Sequence, residues 1–278
     1  MANQQAKNRI KRFTPIQRLF HLLLLLFFLI QGATGVARMY IETGFGQSLV
    51  SCFGGYESAL TIHKWVGIFL LLLFLGHLVY LFFNIDRKNF SQLINSPDSL
   101  LPRWVDLGQF FQHVGWFLGI NKAPEFDRWG YWEKFDYWAV FWGMVILGGT
   151  GLLLAYPLAA SRLLPGWTLN VVFWIHRIEA ILAMGHVFII HFFVAHLRRH
   201  NFPMDRAIFE GSVDLAATRH EKPDWIQRLE KMGLLPGLLV PEVGKKQQIV
   251  FYLFGYAAIA LGLILLIGGI INSPHITW

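Results

Sequence analysis

Five apolar runs dominate this chain, at about 19–37, 63–83, 137–156, 171–197 and 249–271. Crossing a hydrocarbon core of about 30 Å takes about 20 helical residues, and each run is long enough. Lipid offers no partners for backbone polar groups, so runs of this length read as helices. Composition agrees, with 55% of the 278 residues apolar and 15% charged, against about 45–50% and about 25% in soluble domains. The predicted fold class is an all-α membrane protein.

The formal charge of +7 is distributed as a topology signal and not as a nucleic-acid surface. Lys7, Arg9, Lys11, Arg12 and Arg18 precede the first run. The 84–136 loop carries Arg87, Lys88, Arg103, Lys122, Arg128 and Lys134, and the 198–248 segment is richer still. By contrast, the 39–62 loop has no Lys or Arg, and the 157–170 loop has only Arg162. Positive residues stay inside, so the N-terminus is expected in the cytoplasm and the C-terminus outside, in a bacterial inner membrane. No small-residue cleavage site follows the basic N-terminal stretch, so the first run is read as a retained span. The expected division is a cytoplasmic tail (1–18), a four-helix domain (19–200), a cytoplasmic docking segment (201–248) and a fifth helix with an outer tail (249–278). Within the 84–136 loop, residues 104–111 have the pattern of an interfacial amphipathic helix.

Histidines carry the chemistry. His63 and His77 are 14 residues apart on the second span, and His176 and His191 are 15 apart on the fourth. Either interval covers roughly 21–23 Å of helix. At about 100° per residue, each pair stays within about 40–60° of one face. Charge topology places His63 and His176 towards the outer side, and His77 and His191 towards the cytoplasm. Each layer can offer two axial imidazoles to a haem iron. The single Cys52 excludes a CxxCH attachment, an intrachain disulfide and an iron–sulfur site made by this chain alone, so the haem would be non-covalent b-type. His21 and His196 share the cytoplasmic depth. His21 is therefore an alternative to His77 as the partner of His191, or joins His196 around a third haem. His186 lies about 140° from His191 and fits that haem poorly. His113, His200, His220 and His275 are expected in solvated loops or tails. A lone buried histidine is most simply a packed core residue. Matched depths and spacings on two spans point instead to function, because ionisable groups in a bilayer are costly.

Other residues fit around this frame. Gly32, Gly35, Gly67, Gly76, Gly148, Gly149 and Gly151 lie in the first three spans, where they give room for a porphyrin or for close helix packing. Arg38 and Arg177 are candidate partners for haem propionates, and Glu179 is a candidate for pairing with Arg177 or for a proton path.

Several motifs resemble the cytochrome b (gamma) subunit of membrane-bound formate dehydrogenases and the related nickel–iron hydrogenase cytochromes b. They are Arg18-Leu19-Phe20-His21, the His63 helix, Glu133-Lys134-Phe135-Asp136-Tyr137-Trp138 leading to Gly149-Thr150-Gly151, and His176…His191 followed by Phe202-Pro203-Met204. The resemblance covers about residues 10–230. It implies a four-helix core with two b haems ligated from positions matching His21, His63, His176 and His191. It also implies a menaquinone site near the cytoplasmic-side haem, a quinone loop matching Gly130 to Lys134, and a partner delivering electrons at the outer face. This chain departs from the pattern in three ways. His77 is additional, the fourth-span interval is one residue longer than is usual there, and the formate dehydrogenase subunit lacks the fifth span, which is read here as a surface for another membrane subunit.

The resulting expectation is a membrane cytochrome b subunit of a multi-subunit oxidoreductase. Two haems b, or three, would pass electrons between a redox partner and menaquinone or ubiquinone, with Glu133 as a proton-transfer carboxylate and Lys134 steering quinone oxygens. The partner would be an iron–sulfur or multihaem cytochrome c subunit, with or without a catalytic subunit. The rival expectations are a histidine-relay proton channel or transporter and a non-redox membrane anchor.

Overall fold

The computed structural model describes residues 8–84, 94–198, 201–202 and 204–275. Lys7, Arg87, Lys88, His200 and Pro203, named above, lie outside the described residues. Among the described residues, five helices are long and apolar enough to span: α1 (Pro15–Met39), α3 (Tyr56–Asn84), α5 (Tyr131–Ala155), a helix over Trp167–Leu197 that begins as α6 (Trp167–Gly185), and one over Lys245–His275 that is mostly α8 (Lys245–Asn272). They begin four to seven residues before the apolar runs. Thr14 and Gln17 form a reciprocal box before α1, with the Thr14 N–H donating to Gln17 Oε1 at 2.9 Å and the Gln17 N–H to Thr14 Oγ1 at 3.3 Å. Between α2 (Gly44–Cys52) and α3 the chain reverses through Gly54 and Gly55 at φ +80° and +108°, a region only glycine enters cheaply.

The chain divides into two compact units. The larger holds Leu19–Val79, Val140–Asp205 and Val250–Trp278, and so most of all five spans. Its core sets Leu29, Ala33, Val36 and Tyr40 of α1 against Phe188, Phe192 and Leu265. The seven-residue recurrence of Leu29 and Val36, with Ala33 and Tyr40 between and beyond, makes one apolar stripe of α1. The fifth span closes this core. Gly262 of α8 seats Phe188 and Phe192, whose ring carbons would lie 2.8 Å from a Cβ at that position. Tyr40 also donates from its hydroxyl to the Gly269 carbonyl at 2.8 Å. One face of α8 is thus covered by its own chain, while Ile249, Leu253, Ile264 and Ile271 on its remaining surface are exposed.

Past Gly185 the fourth span changes its winding. His186–His191 and Phe193–Leu197 are π-helical. The i→i+5 bonds of a π turn absorb one more residue than an α turn. Periodicity arguments that assume α geometry therefore lose phase here.

The smaller unit holds Met1–Arg18, Tyr80–Ala139 and Arg206–Ile249. Its centre is a three-stranded antiparallel sheet in the order β2 (Ser212–Asp214), β1 (Arg9–Lys11), β3 (Leu239–Val240). Ile10 pairs with Val213 on one side and Leu239 on the other. Its side chain is fully buried with Trp225, Ile226, Leu229 and Leu235. Trp225, Ile226 and Leu229 come from the buried face of the amphipathic helix α7 (Pro223–Lys231). Neither sheet nor core was predicted in a segment read as a polar tail and docking surface. The helix expected over 104–111 is present, and longer than expected, as α4 (Trp104–Phe117) with Trp104, Phe111 and Phe117 exposed.

Several topology-setting cations lie buried in this unit. Glu133 accepts from Arg12 at 2.6 Å and from Lys222 at 2.6 Å. Its Oε2 also accepts the Gly130 N–H at 2.7 Å, capping α5. Lys134, 2% exposed, donates to Asp106 at 2.8 Å and to the Leu101 carbonyl at 3.2 Å. Arg228 binds both Asp98 and Asp127. Burial pulls the Lys222 ammonium down to about 8, although Glu133 partly offsets it. Burial would raise Asp98, but Arg228 and Arg128 more than compensate and hold it below the usual carboxylate range. Removing one member of a buried ion cluster strands the others and costs about 3–5 kcal/mol. Glu133→Ala should therefore lower the thermal unfolding temperature of the purified protein markedly, and Glu125→Ala, at an exposed carboxylate, should leave it close to wild type.

Candidate functional site: a histidine-lined helical bundle

All six candidate ligands lie within the larger unit. In one layer, His63 of α3 faces His176 of α6, with ring centroids 6.4 Å apart and planes at 79°. Two imidazoles that each bond one metal ion at about 2 Å place their centroids a little over 6 Å apart. Behind each ring stands a threonine. Thr34 Oγ1 lies 2.9 Å from His63 Nδ1, and Thr150 Oγ1 lies 2.8 Å from His176 Nδ1. Each threonine hydroxyl already donates to a carbonyl one turn back, Ile30 at 2.7 Å and Ile146 at 2.6 Å. The oxygen is then free to accept, so the histidine carries its proton on Nδ1 and leaves the Nε2 lone pair for a metal. A glycine beside each threonine lets the ring in: a Cβ on Gly35 would meet His63 Cε1 at 3.4 Å, and one on Gly151 would meet His176 Cε1 at 3.3 Å.

In the second layer, His21 of α1 faces His191, with centroids 6.3 Å apart and planes at 38°. His77 of α3 lies alongside α1. It packs edge-on against Phe20 at 5.3 Å. Of the two alternatives for the partner of His191, the one brought opposite it is His21. The π turn explains the 15-residue interval, because the added residue is taken up by the wider turn. The second π-helical stretch, Phe193–Leu197, likewise accounts for His196, whose ring lies 6.2 Å from His191 although five residues of α-helix would separate them by about 140°. His191 and His196 share one helical segment, so their own backbone stands where a macrocycle held between them would lie. His21 and His191 come from different helices and leave that plane open. The buried Nδ1 of His21 has no hydrogen-bond partner among the described residues. Two facing pairs at metal-spanning distance, with Nε2 free in the first pair, fit two bis-imidazole haems.

The remaining candidates sort by contact. Arg38, at the end of α1, acts electrostatically on both His63 and His176, and its buried Nε lacks a partner among the described residues. Arg177 lies over the Trp174 ring at 5.6 Å. Glu179 approaches Gly143, whose added Cβ would lie 3.7 Å from Oε1. The side chain of His186 contributes an Nε2 buried in the bundle. Among the other glycines, Gly67 lies under Gln31, Gly32 beside Leu265 and Met184, Gly76 near Phe20, and Gly148 against Leu71, while Gly149 faces open space. In the smaller unit, the ends of Glu133 and Lys134 are engaged by the ion cluster described above. His113 is not a solvated loop residue. It sits on α4 with Nδ1 3.0 Å from the Tyr131 hydroxyl and its ring among Phe117, Phe126 and Trp132, because α4 extends past the segment expected to be helical.

The two threonines were missed from the sequence, although a signal exists. Gly32-Ala33-Thr34-Gly35 in α1 and Gly148-Gly149-Thr150-Gly151 in α5 are the same Gly-x-Thr-Gly pattern. Reading the glycines alone concealed the residue between them.

A family model described as prokaryotic cytochrome b561 matches residues 12–211. The match spans every histidine of both layers, the two Gly-x-Thr-Gly segments and Glu133, and it ends before the fifth span. No curated protein matches the chain. The match agrees with the hydrogenase and formate dehydrogenase type of cytochrome b that the motifs resembled. With five spanning helices and paired imidazoles inside the bundle, this chain is a multi-pass membrane protein that uses b-type haem in electron transfer, and it belongs to the prokaryotic cytochrome b561 family.

Proposed function

We propose that the chain is the quinone-reactive membrane subunit of a multi-subunit oxidoreductase. The observation that carries this reading is the pair of facing histidine sets, His63 with His176 and His21 with His191. About 20 Å of helix separates the layers, from the 13 residues between His21 and Thr34 and the 15 between His176 and His191. Haem supplies reversible one-electron chemistry when bound. The protein holds each iron by two neutral imidazoles and sets the tautomer of the outer pair. Arg38, half-buried with its Nε enclosed, offers its guanidinium to a propionate in the outer layer, and Arg177 is the second candidate.

Basic segments flanking the spans support an N-terminus in the cytoplasm and a C-terminus outside, in a bacterial inner membrane. In that orientation an iron–sulfur or multihaem cytochrome c subunit docks at the outer face, next to the His63 layer. Menaquinone or ubiquinone exchanges electrons on the cytoplasmic side, with the Gly130–Lys134 turn as its loop. Glu133 serves that loop mainly as an anchor, since Arg12 and Lys222 occupy both carboxylate oxygens. A proton-transfer role requires one of those cations to move.

Reduced-minus-oxidised spectra of the purified protein should show a b-type α-band, and its absence would sink the haem reading in favour of a histidine relay. His21→Ala should lower haem per chain from two to about one, and His77→Ala should leave it at two. The opposite result would reassign the inner layer. Gly262→Leu drives a side chain into Phe188 and Phe192 beside the π turn. It should weaken retention of the inner haem while the outer haem stays, as read by the haem remaining in single and combined His21 and His63 variants. Quinone exchange is tested by reoxidation of the dithionite-reduced protein with a soluble menaquinone analogue. Reoxidation no faster than that of free haem in the same detergent would remove the quinone from the proposal.

A further inference from the structure

We infer that Thr34 and Thr150 are positioning residues that set the redox potential of the outer haem. The inference rests on the haem reading above and goes beyond it, because that reading needs only the four histidines.

The argument begins with a matched geometry on both sides of one site. Thr34 is fully buried on α1 and Thr150 sits on α5, so they come from different helices and serve histidines on two further ones. Both hydroxyls donate to the carbonyl four residues earlier and face an imidazole Nδ1 at 2.8–2.9 Å. A threonine in a membrane helix needs only the carbonyl to satisfy its proton. That bond alone does not call for a histidine behind it twice over. Nor does it call for Gly35 and Gly151, which let each ring approach within 3.4 Å of where a Cβ would stand.

An acceptor behind Nδ1–H fixes the ring's tautomer and rotation and makes Nε2 a stronger donor to a metal. Stronger donation favours ferric over ferrous iron, so an acceptor on both axial ligands lowers the potential. In the other layer, His21 Nδ1 is buried with no hydrogen-bond partner among the described residues. Two haems with chemically identical ligand sets are thereby given unequal potentials by the residues behind them, the outer one lower. Electrons entering at the outer layer then move downhill to the inner layer.

The test is a potentiometric titration of the full-length protein with its haem, in detergent, followed at the α-band. Thr34→Val and Thr150→Val keep the shape and remove the acceptor, and Thr34→Ser and Thr150→Ser restore it. In the double Val variant one midpoint potential should shift upward while the other stays. In a His21→Ala background, which retains only the outer haem, the remaining potential should be the one that shifts. Both Ser variants should titrate like wild type. Unmoved potentials in the double Val variant at full haem content would overturn the inference, as would a Ser variant that shifts as far as Val. Should Val block assembly of the outer haem, the smaller Thr→Ala variants replace it. Outer-haem loss in Ala with retention in Ser supports the role, and loss in Ser as well overturns it. Failure of the underlying haem reading is separately visible, since wild type would then have no b-type spectrum at all.

Discussion

The winding of the fourth span is the constraint on which the histidine layers depend. One helix must offer a ring to α3 near one membrane surface and a ring to α1 near the other. Side-chain direction advances by a fixed angle per residue, so the interval decides whether both rings point inward. Fifteen residues of uninterrupted α-helix would leave the second ring turned away by about 60°. The π turn at His186–His191 takes up the surplus residue, and Phe188 and Phe192 within and just after it pack on Gly262 of the fifth span. A locally wider turn lacks good internal packing. Here neighbouring side chains supply it. The fifth span, outside the family match, thus packs against the segment that carries His191.

Charge in this protein does two kinds of work. Arginines and lysines flanking the spans give the asymmetry from which an orientation is read. Exposed cations would suffice for that. Arg9, Arg12, Lys134 and Lys222 are nevertheless buried at 7%, 7%, 2% and 4% exposure, each against a carboxylate. Paired in this way they assemble a small structured unit from the N-terminal tail and two loops. Its sheet is only two to three residues per strand, too short to hold alone. The Ile10–Trp225–Ile226 core and the ion cluster hold it together.

How much of this was legible in the sequence follows the range of each interaction. The five spans were readable because hydrophobic length is a local property. His63 and His176 were readable as partners because α geometry holds over their surroundings. That His21 lies opposite His191 was not readable, since the direction of His191 follows a π turn whose effect on phase no apolar pattern displays. His113 was misjudged because a polar residue between apolar ones looks like a loop until the helix around it is seen. The sheet of Arg9–Lys11 with Ser212–Asp214 was invisible for another reason. Three-residue strands give no measurable alternation, and the partners lie about two hundred positions apart. Thr34 and Thr150 were in plain sight as a repeated tetrapeptide, but a hydroxyl in a membrane helix looks self-satisfied until the ring behind it is located.

The strand pairing also bears on how the chain is made. β1 is the middle strand of its sheet, and Arg9 binds Ser212 across 203 residues. Arg12 likewise meets Glu133 across 121 residues. Synthesis runs from the N-terminus at about 5–20 residues per second. A segment made ahead of all five spans is therefore among the last to find its neighbours, and four spans must be made before β2 exists. During that interval Ile10 and the basic tail have no native partners. The charge of that segment favours water over lipid, so the basic residues beside the first helix also keep the central strand available until its sheet can close.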